Sequence, residues 1–262
     1  MTVRRLHAVL LPAVVAAVAV PPGVGCQAST EDVAAPVAAP EPTPVVLDPA
    51  PPPTVAPDAA PAALPDPAVT LGDWRFGDIP GRIATTEHYQ LFTTVSEAWG
   101  VEVTPGFMEA ALERYRSAFG PLPAPPDRLR IYLFADRDQW LARTEQMLPE
   151  LIDDFRRLGR GGYTTEAVTV LYDIDRWTQP RDTLAIAAHE GWHQYTQATF
   201  EQSLPVWLEE GLACYLEGYW IDAAGIPHFD AARNAERHRA LRRLVREERL
   251  LALDEFIGHA PQ

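Results

Sequence analysis

The sequence contains no lysine, and its 22 arginines are outnumbered by 36 acidic residues, which gives a formal net charge of −14. We attach no functional meaning to the missing lysine. The shortage of positive charge argues against a nucleic-acid partner, because binding phosphates requires clustered cations. The two cysteines, Cys26 and Cys214, are too few for a disulfide framework. The apolar fraction of 47% is sufficient for an ordinary core, and 262 residues predict one domain with extensions or two small domains.

The first 26 residues have the pattern of an export signal. Arg4 and Arg5 form a short positive region, and the apolar run Leu6–Val20 is too short to span a bilayer comfortably. A small residue directly before Cys26 resembles the bacterial lipobox, although Gly23 stands where that pattern prefers an aliphatic residue. We therefore predict a lipid anchor on Cys26 and a location in the cell envelope. The alternative is an ordinary secretory signal cleaved nearby, which would give a secreted or periplasmic protein.

Residues 27–70 have the composition of a linker. They contain 12 prolines, 12 alanines and six acidic residues, but no basic and no aromatic residue. Such a segment cannot bury enough apolar surface to fold, and its prolines keep it extended. We predict a disordered tether that would reach on the order of 100 Å from a membrane.

The hydrophobic pattern of residues 71–262 predicts strands first and helices afterwards, which is typical of an α+β fold. Strands are expected within 83–95, 129–134 and 163–173, where β-branched and aromatic residues concentrate. Helices are expected at 104–119, from Asp136 or Asp138 to Met147, and at 183–199, 203–220 and 230–249.

The helix predicted at 183–199 contains the pentad His189-Glu190-Gly191-Trp192-His193. On a helix the two histidines lie one turn apart on one face, so both imidazoles can reach one cation. Glu190 lies beside that cation and can accept a proton. Glu210 follows His193 by 17 residues, on the next predicted helix. It would supply a third ligand and leave a fourth position open for water, as in a catalytic zinc site.

These residues resemble the gluzincin metallopeptidases, in which a second helix carries a Trp-Leu-x-Glu-Gly-Φ-Ala-like segment. Here the segment is Trp207-Leu208-Glu209-Glu210-Gly211-Leu212-Ala213. The resemblance implies a zincin-like catalytic domain over 71–262, with a mixed or antiparallel sheet packed on the active-site helix and a mainly helical C-terminal part. It implies a peptide or protein substrate and one zinc ion per chain. The implied roles are general base for Glu190 and metal ligand for His189, His193 and Glu210.

The chain departs from that pattern at Cys214, where thermolysin-like enzymes place an aspartate that supports a zinc histidine. Glu217 is our candidate for the supporting role, and Glu209 occupies a position that varies in the pattern. Without a partner, Cys214 is expected to be a small buried residue. The donor that such enzymes direct at the oxyanion stays open among Tyr215, Tyr219, His228 and His238. No Gly-x-Met-Glu-Asn motif precedes the pentad, which weakens an aminopeptidase assignment and leaves endopeptidase or exopeptidase action open.

Two segments around the motif have competing interpretations. The strand predicted at 163–173 resembles the edge strand with which such peptidases bind substrate backbone, and an ordinary core strand is equally compatible. The seven arginines of 233–249 alternate with three glutamates. We favour a solvated helix over a nucleic-acid or anionic-lipid surface for this segment.

The sequence thus predicts a zinc-dependent hydrolase that cleaves peptide bonds. One alternative is a non-catalytic envelope binding protein on a degenerate peptidase scaffold, suggested by the short C-terminus and the missing aspartate. Another is a zinc amidase that acts on cell-wall material, because such a site determines the reaction and not the substrate.

Overall fold

The computed structural model describes residues 68–158, 161–175 and 180–252. The predicted signal segment, the lipidation site Cys26 and nearly all of the predicted linker lie outside the described residues. The first described strand begins at Thr70. Among the described residues, no helix has both the length and the apolar composition to cross a membrane.

The described chain contains eight strands and seven α-helices, in interspersed groups. The strands are β1 (Thr70–Phe76), β2 (Ile79–Thr85), β3 (Tyr89–Thr93), β4 (Leu129–Phe134), β5 (Gly162–Thr165), β6 (Val168–Tyr172), β7 (Tyr219–Ile221) and β8 (Pro227–Phe229). The helices are α1 (Trp99–Glu102), α2 (Thr104–Ser117), α3 (Arg137–Met147), α4 (Ile152–Arg157), α5 (Arg181–Thr199), α6 (Val206–Leu216) and α7 (Ala235–Arg246). The predicted α+β class is confirmed.

Six strands form one mixed sheet in the order β1-β2-β3-β4-β6-β5. Strands β1 to β3 are antiparallel, β3, β4 and β6 are parallel, and β5 runs antiparallel to β6 at the edge. The prediction of one continuous strand at 163–173 is wrong, because the chain reverses at Glu166 and Ala167. Their φ angles of 51° and 57° are those of a tight two-residue hairpin turn. This reversal makes β5 the edge strand.

Helices cover both faces of the sheet. On β4, alternate side chains enter different cores: Leu133 joins the core under α2, α5 and α6, whereas Phe134 joins the core under α3 and α4. Both side chains are completely buried. The sheet is therefore enclosed at its centre, and α5 lies in the first of the two cores.

Helix α5 is held at close range by α2. The Tyr115 hydroxyl of α2 donates a hydrogen bond of 2.6 Å to the carbonyl of Ala188. This approach requires glycine at position 191, because an added Cβ would lie 2.7 Å from the Tyr115 hydroxyl and 2.8 Å from Cε of Met108. The central glycine of the pentad is therefore a packing residue.

Several predicted helix ends are corrected by tertiary contacts. Helix α6 is not capped by Ser203 and ends at Leu216, because Gly218 lies against the backbone of Asp230 and the chain enters β7. Trp220 accordingly belongs to a strand. The last helix begins after Asn234, whose side chain accepts the Arg237 N–H, rather than at Asp230. Of the two residues predicted to start α3, Asp136 or Asp138, the structure has Asp136 as the cap, which accepts the Gln139 N–H.

Candidate metal centre

His189 and His193 lie one turn apart on α5 and are almost completely buried. Their Nε2 atoms both face the carboxylate of Glu210 on α6. His189 Nε2 lies 3.5 Å from Glu210 Oε2, and His193 Nε2 lies 3.4 Å from Glu210 Oε1. The structure thus brings the three predicted ligands together within a few ångströms.

The donor atoms of this group suit a tetrahedral cation. Nε2 of His189, Nε2 of His193 and Oε1 of Glu210 are buried and have no hydrogen-bond partner among the described residues. Two ligands bound to Zn²⁺ at about 2.0–2.2 Å in tetrahedral geometry lie roughly 3.4 Å apart. The observed nitrogen–oxygen separations match this spacing. Since unpaired buried polar atoms are costly, their convergence indicates a site that fits a metal ion.

The other nitrogen of each imidazole is held by a carboxylate of the neighbouring helix. Nδ1 of His189 lies 2.6 Å from Oε2 of Glu217, and Nδ1 of His193 lies 3.0 Å from Oε1 of Glu209. Such a bond places the proton on Nδ1, which leaves the Nε2 lone pair for a metal. Glu217 is thus in contact with a candidate ligand, as the sequence predicted. The role of Glu209 was missed, because its position was interpreted as variable.

The pairing follows from antiparallel packing of α5 and α6, joined by a short connection. Because the two helices run in opposite directions, His189 contacts Glu217 and His193 contacts Glu209. Glu209 receives a second bond of 2.6 Å from the Thr196 hydroxyl of α5. The Glu209 carboxylate is therefore held in place by two residues of α5, His193 and Thr196.

The chain beyond α6 orients Glu217. Asn234 Nδ2 donates to Glu217 Oε1 at 2.5 Å, and Arg237 Nε donates to the same oxygen at 3.2 Å. Asn234 Nδ2 also donates to the Cys214 carbonyl at 3.1 Å. Because Asn234 caps α7 as well, the start of that helix is connected to His189 through one carboxylate.

Glu190 is completely buried beside the two histidines. Its Oε2 lies 3.0 Å from the Thr164 hydroxyl of β5, while its Oε1 has no hydrogen-bond partner among the described residues. Burial raises the pKa of the Glu190 carboxyl, and the neighbouring histidines oppose this shift only in part. A carboxylate with a raised pKa and one free oxygen has the properties of a general base.

The charges of His189, Glu210 and Glu217 influence one another, because each carboxylate lies close to the imidazole. Burial by itself lowers the pKa of His189, but the interactions of the imidazole with Cys214, Glu210 and Glu217 outweigh this effect, so that the pKa is raised well above 6.5. Burial by itself raises the pKa of Glu210 and of Glu217, but the close contact of each carboxylate with His189 and the nearby positive charges hold both pKa values below 4.5. Both glutamates are therefore anionic at neutral pH.

A second group of possible ligands consists of His189, Cys214 and Glu217. It is the poorer cation site, because Glu217 already accepts bonds from His189, from Asn234 and from the positively charged Arg237. Cys214 itself is half-buried, rather than buried as predicted. Within the described part of the chain, no arginine forms an ion pair with Glu210, the carboxylate of the other group.

For three of the four candidate oxyanion donors, the structure shows partners other than the metal group. The Tyr219 hydroxyl donates to the carbonyl of Arg181 at 2.9 Å. His228 bonds to Asp222 on the β7–β8 hairpin, and Tyr215 is 46% exposed and lies against Phe119. For His238, the hydrogen bond described is that of its backbone N–H to Asn234. Within the described residues, none of these side chains hydrogen-bonds to the three ligands.

Comparisons of the chain with protein-family models, with curated proteins and with solved structures gave no match.

Proposed function

We propose that the protein is a zinc-dependent peptidase with one zinc ion held by His189, His193 and Glu210. The observation that carries this proposal is the convergence of two unpaired Nε2 atoms and a carboxylate in a buried site beside Glu190. Bound Zn²⁺ supplies a Lewis acid that makes water more acidic and polarises a carbonyl group. We also propose that the α+β domain has a zincin-like fold.

Glu190 is the proton carrier of the proposed reaction. Thr164 holds Oε2, so Oε1 is the atom that accepts a proton from water and returns it to the leaving amine. The raised pKa of this carboxyl makes the return of the proton easier than it would be from an exposed glutamate.

The position of β5 favours a peptide substrate. This strand forms one edge of the six-stranded sheet, and its Thr164 contacts Glu190 directly. An extended peptide that pairs with this edge would run past the proton carrier. All four residues of β5 are buried, so this pairing requires the edge to become exposed when substrate binds. A cell-wall amide without an extended backbone would gain less from this arrangement.

We place the proposed reaction outside the cytoplasm, on the basis of the N-terminal segment. The export signal and the cysteine at its end support a lipid-anchored envelope protein, and residues 27–70 would separate the domain from the membrane.

The test compares Glu190→Gln with Glu201→Gln, an exposed residue after α5 that serves as the matched control. Metal analysis should find one zinc ion per chain in both variants. Cleavage of an unbiased peptide library should fall by about 10²–10⁴-fold in Glu190→Gln only, because a general base contributes that much. Undiminished cleavage by Glu190→Gln would refute the mechanism. A zinc-loaded wild-type protein that cleaves no peptide would favour the binding protein, and one that cleaves only cell-wall amides would favour the amidase.

A further inference from the structure

Helix α7 is a basic element in an acidic protein. It carries five arginines and one glutamate, a formal charge of +4, whereas the chain has a formal charge of −14. Four of the arginines, Arg239, Arg242, Arg243 and Arg246, are exposed. Within the described residues, no carboxylate forms an ion pair with these four. Their charge is therefore available to an external partner.

The same helix exposes an apolar stripe. Leu241 and Val245 lie one turn apart and are 51% and 54% exposed, with Leu244 between them. Beyond the helix, Leu250 and Leu251 are also exposed, at 52% and 56%. The apolar side chains lie along one face and the four exposed arginines along the other, which makes α7 an amphipathic helix of the interfacial type. The fifth arginine, Arg237, lies on the apolar side in the first turn, where it bonds to Glu217.

Helix α7 is attached to the domain mainly through its first turn. Asn234 and Arg237 bond to Glu217 there, and the later turns have no extensive packing against another described helix or strand. Its apolar stripe is therefore not a core face of the described domain. A solvated helix, the interpretation favoured from sequence, accounts for the arginines and not for this stripe.

The charge pattern distinguishes between possible occupants of the stripe. Pairing of the stripe with that of a second copy would bring two +4 helices together, which is electrostatically unfavourable. A nucleic acid would use the arginines and leave the leucines in water. An anionic bilayer surface uses both, because leucines enter the acyl boundary while arginines reach the phosphates.

We propose that α7 is a membrane-surface helix that docks the domain on anionic phospholipid. Docking would hold the domain at the surface independently of the N-terminal anchor. The proposal is also independent of the metal centre and of the proposed peptidase activity.

The experiment measures binding of the full chain to vesicles, with Cys26→Ala in every protein so that lipidation cannot contribute. Vesicles of phosphatidylcholine with 30% phosphatidylglycerol are compared with pure phosphatidylcholine, at low and high salt. Leu241→Glu/Val245→Glu removes the apolar stripe, and Arg242→Glu/Arg246→Glu reverses two exposed charges. The matched control Arg82→Glu/Arg157→Glu changes the net charge equally at two exposed arginines elsewhere.

We expect the parent protein to bind anionic vesicles more tightly than neutral ones, and to bind them less tightly at high salt. Both α7 variants should weaken binding by at least tenfold, the control should bind like the parent, and thermal melts should stay alike because all substituted residues are exposed. Equal binding by parent and α7 variants would overturn the proposal. A concentration-dependent dimer that is lost in the Leu241→Glu/Val245→Glu variant, without vesicle binding by the parent, would overturn it in favour of a second copy.

Discussion

Glu209 provides the sharpest test of the proposed metal centre, because its neighbour Glu210 has a different predicted role. Glu210 faces the two Nε2 atoms, whereas Glu209 holds Nδ1 of His193 at 3.0 Å. Replacing Glu209 with glutamine keeps the length of the side chain and removes its negative charge. The variant therefore tests whether the carboxylate supports zinc binding from behind the imidazole.

The expected loss is a 10–100-fold weaker zinc affinity, which is typical when a hydrogen-bond partner of a metal-binding histidine is removed. This corresponds to about 1.4–2.7 kcal/mol. Two features favour a value within this range rather than below it. Glu209 is only 9% exposed, so solvent does not replace the lost charge. Its Oε1 also accepts the Thr196 hydroxyl at 2.6 Å, so the carboxylate is already oriented before a metal binds.

The assay is competition for zinc against a chromophoric chelator, with circular dichroism to verify the fold. Glu201→Gln is the matched control, and Glu217→Gln should show a loss in the same range because it supports His189. Wild-type affinity in a folded Glu209→Gln protein would refute the assignment of this residue as the support of His193.

Three further results are expected. Gly191→Ala should lower the free energy of unfolding by about 1–3 kcal/mol in urea titrations, because its Cβ would collide with the Tyr115 hydroxyl at 2.7 Å. Gly211→Ala, which meets nothing within 4 Å, should not destabilise the fold, and equal effects of the two substitutions would contradict the packing argument. Zinc affinity should fall as pH decreases, and the fall should begin above pH 6.5, because zinc must displace a proton from His189, whose pKa is raised. The measurement is chelator competition between pH 6 and 9. The absence of such a pH dependence would count against His189 as a ligand. Cys26→Ser should move the protein from the detergent phase to the aqueous phase in phase partitioning, and unchanged partitioning would argue against a lipid on this cysteine.

Local sequence information was sufficient to predict those features that depend on a single helix or strand. The spacing of His189 and His193 places them on one face of any α-helix, so their convergence required no knowledge of the fold. Strand β4 was predicted with its observed bounds, because its apolar run is continuous. The Asp136 cap is likewise a contact within four residues of chain.

Predictions failed where the end of a strand or helix depended on contacts with residues distant in the sequence. The pattern of 163–173 predicts a single strand, because its β-branched residues continue through both β5 and β6. The reversal occurs at Glu166 and Ala167, two residue types that do not usually mark a left-handed turn. The end of α6 was also misplaced, because the contact between Gly218 and Asp230 joins residues that sequence patterns treat as independent.

By itself, the sequence determined the chemical identity of the donors, since the helical period and the residue types are local properties. Only the tertiary structure decided which nitrogen of each histidine faces the candidate metal, because that depends on the carboxylates of the antiparallel helix α6. It also decided that Glu209 and Glu210, adjacent in the chain, contact opposite sides of the same imidazole. The arginines of α7 are visible in the sequence, but the exposure of Leu241 and Val245 beside them depends on how little of that helix packs against the domain.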